Sequence, residues 1–151
     1  MAIVDFSVSD CEPAHAEAAL QRGRGFARMR PAPTASERLD GPIDHEHLSR
    51  YTLGDKSLEI EVLELFDGEA PKTLSNLRNA LSAVPTDGRG WHVACHTLKG
   101  SARAVGAWRV AMAAEAAERS PRDEPEKMSA HVLAIEAALA ETTAYIRAYS
   151  R

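Results

Sequence analysis

The 151-residue chain has little cysteine, no long apolar run and no large excess of charge. Its two cysteines cannot form the disulfide framework of a small secreted domain. No apolar run approaches the ~18 residues that a transmembrane helix needs, and the first residues lack the basic start and apolar stretch of a secretory signal. We therefore expect a reducing, cytoplasmic location and no contact with a membrane.

Charge and motif content exclude further classes of function. The formal net charge of −4 provides no bulk basicity for binding nucleic acid. No glycine-rich phosphate loop precedes a helix, and no Ser-His-Asp or Cys-His nucleophile motif is recognisable. Because the chain also has no nucleotide-binding region, we expect no ATP site of its own and no complete enzyme.

The chain lacks the alternation of β-branched residues that is typical of strands, and from Ile43 onward its apolar residues recur at helical spacing. This pattern predicts an all-α fold with one short leading helix and four main helices. Short connections between the main helices predict an antiparallel up-down four-helix bundle, which closes its own core as a monomer. The predicted helices lie at about 44–51, 58–84, 89–104, 107–119 and 128–149.

Two further predictions concern the ends and the interior of this helical domain. Residues 1–41 carry no sustained periodicity and are punctuated by proline and glycine, which predicts a flexible N-terminal arm before a helical domain at 42–151. A short helix at 12–22 and a solvated basic cluster at 22–30 are predicted within the arm, with an acidic partner as the alternative for the cluster.

In the long helix, Gly68 and Pro71 predict a kink. The apolar stripe of that helix is predicted to include Leu58, Val62, Leu65, Phe66, Leu74, Leu77 and Leu81.

The chemical content of the chain is concentrated in one predicted helix, which runs from Arg89 to Ala104. A helical projection at 100° per residue separates an apolar arc (Trp91, Cys95, Leu98, Ala102 and Val105) from a polar arc (His92, His96, Lys99 and Arg103). His96 is therefore predicted to face water. Cys95 is predicted to be a small buried apolar residue and not a reactive thiol.

This segment resembles the signature of the histidine-containing phosphotransfer (HPt) domain family. The signature has a histidine, a lysine three residues later, Gly-Ser-Ala directly after the lysine and a closing Gly-Ala. Here these are His96, Lys99, residues 100–102 and residues 106–107. The resemblance extends over residues 43–147, and it implies a four-helix bundle with the phosphorylatable histidine partway along one helix.

The resemblance also implies a function. His96 would accept a phosphoryl group and pass it to or from an aspartate on the receiver domain of a response regulator. The chain would then be a free-standing carrier in a phosphorelay that begins at a hybrid sensor histidine kinase. It implies no cofactor for this chain, because the partner receiver domain would supply the Mg²⁺ during transfer.

The residues themselves are suited to this chemistry. A neutral imidazole nitrogen can attack a phosphoryl group and hold it as a phosphoramidate, and histidine side chains are largely neutral at pH 7. Positive charge at Lys99, Arg103 and His92 would disfavour the imidazolium form. Lys99 and Arg103 would also neutralise phosphoryl oxygens. The role of Lys99 is implied by the resemblance, whereas that of Arg103 is inferred from spacing alone.

A partner's need to reach His96 would explain why the neighbouring residue Gly100 has no side chain. Gly100 lies one turn after His96, where a side chain would obstruct a bulky partner. A glycine in mid-helix costs about 1 kcal/mol relative to alanine, so its presence needs a reason. Val93 and Leu63 are predicted to form an apolar rim for the partner, and His92 lies beside it, either as a bystander or as a group that tunes the proton balance.

Two alternative functions stay open. The chain could be a helical interaction module that regulates a kinase or receiver by binding, without carrying phosphate. His92 and His96 are also an i, i+4 pair that could share a zinc ion with Cys95. We disfavour the metal site because Cys95 falls on the other arc and Lys99 would repel a cation.

Overall fold

The structure, a computed structural model, describes residues 41–151, and in this part of the chain it contains five α-helices and no strands. The all-α class is thus confirmed. None of the five helices is long and apolar enough to cross a membrane. The predicted arm, apart from Gly41, lies outside the described residues, as do its short helix and basic cluster. The helices are α1 (His45–Thr52), α2 (Lys56–Ser82), α3 (Gly88–Ala104), α4 (Trp108–Arg119) and α5 (Pro125–Tyr149).

Local sequence signals account for half of the helix ends. Asp44, Asp55 and Asp87 cap the N-termini of α1, α2 and α3, and each carboxylate accepts a hydrogen bond from a backbone amide of the first turn. Gly106 follows α3 in the left-handed conformation (φ 75°), which glycine adopts without strain. Pro125 is the first residue of α5, where its missing amide costs nothing.

The four longer helices pack in a closed ring, in which α2 contacts α3, α3 contacts α4, α4 contacts α5 and α5 contacts α2. Side-chain bonds between α2 and α5 join Lys56 to Tyr149 and Arg78 to Glu136. Residue numbers therefore rise along α2 as they fall along α5. The largest fully buried apolar side chains of these four helices are Trp91, Leu63, Leu77, Leu98, Met128, Ile135 and Ile146.

The first half of α2 buries a different face from the predicted one. Leu58 and Leu65 are 40% and 66% exposed, whereas Glu59 is only 1% exposed. The carboxylate of Glu59 accepts hydrogen bonds from Lys56 Nζ (2.7 Å) and from the Tyr149 hydroxyl (2.9 Å). These bonds, that of Lys56 above all, lower the pKa of Glu59. Because the buried charge is paired and hydrogen-bonded, burial is tolerated, and an apolar pattern cannot reveal it.

Helix α2 is continuous across the residues that were predicted to interrupt it. Gly68 and Pro71 both lie inside the helix. The hydroxyl of Ser75 donates to the carbonyl of Pro71 (3.1 Å), and the hydroxyl of Thr73 donates to the carbonyl of Glu69 (3.3 Å). These bonds add local side-chain contacts to the helix around the proline. The kink stays a prediction, because helical continuity does not fix the bend angle.

Helix α1 closes one end of the ring. Ile43, Leu48 and Thr52 are buried there. The amide of Asp44 donates to the carbonyl of Gly106 (3.0 Å), and the indole of Trp108 donates to the carboxylate of Asp44 (2.9 Å). The entry to the helical domain is thereby fixed to the turn between α3 and α4.

This contact predicts unequal effects of two glycine substitutions. Gly54 and Gly106 both have positive φ (78° and 75°). A Cβ at Gly106 would lie 2.9 Å from the carbonyl oxygen of Asp44, whereas a Cβ at Gly54 would have no neighbour within 4 Å. We expect Gly54→Ala to lower the free energy of unfolding by about 1–2 kcal/mol for the left-handed backbone, and Gly106→Ala to lower it clearly more. Urea unfolding measures both losses, and equal losses would contradict the proposed crowding.

Candidate functional site

Helix α3 presents the two faces predicted for it. The predicted apolar residues Trp91, Cys95, Leu98, Ala102 and Val105 are all buried, whereas the side chain of His96 is 68% exposed. Burial raises the pKa of the Cys95 thiol to about 12. The thiolate is therefore scarcely populated at neutral pH, which confirms Cys95 as a structural residue.

The packing of Trp91 sets how closely α4 lies against α3. The Trp91 indole is completely buried and donates from Nε1 to the carbonyl of Ala117 (3.1 Å). Ala114 and Ala117 are also fully buried, and their small side chains allow a close approach of the two helices. This approach brings the last turn of α4 beside the exposed face of α3.

Glu118, in that last turn of α4, binds two of the predicted site residues. Its Oε1 lies 2.8 Å from His96 Nδ1, and its Oε2 accepts a hydrogen bond from Lys99 Nζ. The Glu118 side chain is only 11% exposed. The hydrogen bond from Lys99 and then that from His96 lower the pKa of Glu118 to about 2. The carboxylate is therefore ionised at neutral pH.

The ionised carboxylate determines which nitrogen of His96 carries the proton. A carboxylate can only accept hydrogen bonds, so His96 Nδ1 must be the donor. In a neutral imidazole the other nitrogen, Nε2, then holds the lone pair. Within residues 41–151, Nε2 makes no hydrogen bond, and it belongs to an exposed ring. The arrangement leaves a free nucleophilic nitrogen at the surface of α3.

The predicted cations near His96 have different surroundings. Lys99 is only 16% exposed and is paired with Glu118, which also binds His96. Arg103 instead donates to Glu115 (3.2 Å), so the structure does not bring its guanidinium to His96. His96 is thus bordered by a carboxylate, and its surroundings are not purely cationic as the sequence indicated.

His92 lies one turn before His96 on the same face of α3. Its side chain is 45% exposed, and the centroids of the two imidazole rings are 6.1 Å apart. His92 Nδ1 lies 3.3 Å from Nη2 of Arg122, a residue of the turn between α4 and α5, and 4.0 Å from Glu118. The two histidines therefore lie beside one carboxylate.

The residues predicted to contact a partner differ in their exposure to solvent. A Cβ at Gly100 would have no neighbour within 4 Å, so the fold does not require a glycine at this exposed position. Val93 is 55% exposed and lines a groove of about 400 Å³ between α2 and α3, together with residues such as Asn76 and Asn79. The prediction for Leu63 is wrong, because this side chain is completely buried in the core as part of the shifted stripe of α2.

Glu118 is the functional candidate that the sequence reasoning missed. The signature directed attention to α3, while Glu118 lies 22 residues after His96 on the next helix. Folding α4 back along α3 about the turn at Gly106 would have placed the level of His96 opposite the end of α4. An acidic residue at that end of an alanine-rich helix is the signal that was available.

The structure gives no support to a metal site around the histidine pair. Cys95 is buried on the other face of α3, and the Lys99 ammonium lies beside the shared carboxylate. Among residues 41–151 no group of three or more His, Cys, Asp or Glu side chains could hold a metal ion. Cys95 therefore adds no ligand to the histidine pair, and Lys99 adds a positive charge beside it.

Comparison with known protein families identifies the family of the chain. The family model of the Hpt domain matches residues 61–147, which is more than half of the chain and includes all of α3 and α4. The chain belongs to the Hpt domain family. Membership implies histidine phosphotransfer in a phosphorelay, as a carrier without its own ATP site, and interaction with receiver domains of response regulators. No curated protein and no solved structure matched the chain.

The partly buried carboxylate of Glu118 predicts how stability depends on pH. The pKa of Glu118 falls from 4.5 to about 2 in the folded chain, so the unfolded chain binds more protons between these values. The contribution of Glu118 to stability is therefore present above about pH 4.5 and is lost as the pH falls towards 2. We expect Glu118→Gln to have a smaller decrease in unfolding free energy over this window than the wild type.

Urea unfolding at a series of pH values measures this difference. Glu115→Gln is the matched control, because Glu115 lies on the same helix and is 25% exposed in its arginine pairs. A Glu118→Gln profile parallel to that of the wild type would show that the carboxylate is not held as described.

Proposed function

We propose that this protein carries a phosphoryl group on Nε2 of His96 and exchanges it with an aspartate on a receiver domain. The observation that carries this proposal is the bond from His96 Nδ1 to the ionised Glu118, since it places the hydrogen of a neutral imidazole on Nδ1 and the lone pair on Nε2 of an exposed ring. A hybrid sensor histidine kinase would be the original donor. We place the protein in the cytoplasm, where such partners act.

The transfer balances without any movement of a proton. The Nε2 lone pair forms a bond to phosphorus as the bond from phosphorus to the aspartyl oxygen breaks, and the aspartate leaves as a carboxylate. The imidazole keeps its hydrogen on Nδ1 throughout. Substituents on both nitrogens then give the ring a formal positive charge, while the phosphoryl group carries two negative charges.

Glu118 is suited to stabilise this loaded form. Its carboxylate already accepts the Nδ1 hydrogen bond, and it would face the positive charge that develops on the ring. Lys99 pairs with the second oxygen of Glu118, which prevents a bare negative charge from repelling the incoming phosphoryl group. We therefore infer that Lys99 assists transfer by neutralising Glu118, in addition to the direct role at the phosphoryl oxygens that the resemblance implies.

The surface around His96 is suited to a large partner. Gly100 leaves space one turn after His96, and Val93 provides exposed apolar area one turn before it. The groove between α2 and α3 continues this surface with amides and small side chains. We propose that the receiver domain docks here and brings its aspartate and its Mg²⁺ to Nε2, with His92 at the edge of the contact.

We also propose that the helical bundle functions as a monomer. We infer an antiparallel up-down arrangement of α2 to α5, supported by the short connections and by the opposite numbering of bonded residues along α2 and α5. Since the ring of four helices closes around its own core, we expect a monomer. The alternative function, regulation by binding without phosphate, would use the same surface but would not need the free Nε2.

Substitution of His96 separates the two functions. We expect His96→Gln to fold like the wild type, because the side chain is exposed, and to lose all acid-labile, alkali-stable phosphate after incubation with a phosphorylated receiver domain. His131→Gln, on α5, is the control and should label normally. Labelled His96→Gln protein would refute His96 as the acceptor.

Substitution of Gly100 tests the access argument. Gly100→Gln should reduce the rate of phosphoryl transfer from a receiver domain at least tenfold by obstruction, while helix propensity leaves the fold equally stable or more stable. Gly68→Gln is a matched control, because Gly68 is also an exposed mid-helix glycine without neighbours within 4 Å of a Cβ, but lies on α2 outside the groove. Rapid-quench kinetics measures both rates, and an unchanged rate for Gly100→Gln would refute obstruction.

A further inference from the structure

Arg122 is held beside the site by a neutral acceptor. Its Nη2 lies 3.3 Å from His92 Nδ1. A guanidinium can only donate, so His92 Nδ1 must offer a lone pair, which makes His92 neutral in this arrangement. Within residues 41–151 Arg122 forms no ion pair with a carboxylate, in contrast to Lys99 with Glu118 and Arg119 with Glu115.

The backbone around Arg122 directs its side chain towards the exposed face of α3. Gly88, the first residue of α3, lies under the aliphatic part of Arg122, and a Cβ there would be 3.3 Å from Arg122 Cδ. The guanidinium thereby reaches His92, whose ring is 6.1 Å from that of His96. The positive charge of Arg122 therefore lies beside the exposed face of α3 that carries His96.

We propose that Arg122 is a binding residue for the phosphoryl group on His96. Its guanidinium donates to His92 in the unloaded protein and to the phosphoryl oxygens when His96 is loaded. This inference rests on the proposed phosphorylation of His96. The structure provides a solvent-exposed guanidinium whose resting partner is an imidazole nitrogen at 3.3 Å and not a carboxylate. A phosphoryl group offers a doubly charged acceptor that matches the planar donors of arginine, so the exchange of partners is favourable.

Arg122 takes the place of Arg103 as the second cation of the site. Arg103 was the candidate on spacing, but its guanidinium is bonded to Glu115. Lys99 is bonded to Glu118 and mostly buried. Of the three, Arg122 would lose only a hydrogen bond to a neutral ring when it turns to the phosphoryl group. An arginine that binds only the loaded form shifts the loading equilibrium towards phosphohistidine.

A small-molecule phosphodonor tests this without any protein partner. Phosphoramidate can transfer its phosphoryl group to Nε2 while ammonia leaves with the electron pair of the broken P–N bond. We would incubate the full chain at a fixed ratio of phosphoramidate to ammonia and read the ratio of loaded to unloaded protein by intact mass. We expect Arg122→Gln to lower this ratio about five-fold, and Arg122→Lys to recover part of it.

Arg119→Gln is the matched control, because Arg119 is an exposed arginine at the end of α4 that pairs with Glu115 and not with His92. A second readout follows the side-chain Nε–H signal of Arg122 by NMR. This signal should move on loading of the wild type, which a merely structural arginine would not do. A fixed signal and an unchanged ratio in Arg122→Gln would overturn the role of Arg122, as would an equal loss in Arg119→Gln.

The experiment also separates this inference from the proposed function. If phosphoramidate labels His96 and Arg122→Gln behaves as the wild type, only the role of Arg122 falls. If the wild type takes no label at His96, the carrier function and the role of Arg122 fall together.

Discussion

The carboxylate of Glu118 is bound from two sides, and the geometry of the α3–α4 surface depends on these bonds. It accepts from His96 on one oxygen and from Lys99 on the other, in a position that is 11% exposed. A poorly hydrated charge is tolerated only where such donors are present. The same bonds that make Glu118 acceptable to the fold fix the ring of His96, so the stability of this region and the orientation of the candidate nucleophile have one origin.

The buried carboxylate of Glu59 shows what distinguishes the site from a structural ion pair. Glu59 is bonded to Lys56 and Tyr149, and His45 Nδ1 lies 4.0 Å from it, beyond a normal hydrogen bond. His45 is 30% exposed against 68% for His96, and burial lowers the pKa of His45. The Glu59 cluster therefore joins α1, α2 and α5, whereas the Glu118 cluster leaves a nitrogen of His96 open to solvent. A carboxylate, a lysine and a histidine occur in both, and exposure of the ring makes the difference.

Much of the fold could be predicted from the sequence because it depends on local signals. Capping aspartates, the left-handed Gly106 and the apolar arc of α3 are all encoded within a few residues, and the arc is buried as predicted. The phase of α2 could not be predicted in the same way. A buried Glu59 shifts the stripe, and its acceptability depends on Tyr149, which lies 90 residues away in the sequence. Leu63 was misplaced for this reason.

The same distinction between local and long-range contacts applies to the candidate site. His96, Lys99 and Gly100 lie in one helical segment, so spacing places them together. Glu118 and Arg122 come from the following helix and its turn, and their contacts with α3 depend on how closely Trp91 and the alanines of α4 pack. Spacing within α3 also favoured Arg103, because a one-helix projection cannot show that Glu115 binds it from across the interface.

The bare surface at Gly100 has a consequence for the backbone beneath it. In an α-helix the amide of residue 100 donates to the carbonyl of residue 96, so the helical bond that ends at His96 is covered by no side chain at its donor. Water can reach this bond, whereas neighbouring bonds on the buried face of α3 are shielded by Cys95 and Leu98. Backbone bonds that water can reach open most readily. The segment that carries the histidine thus has a helical bond open to water, within a helix whose other face is buried in the core.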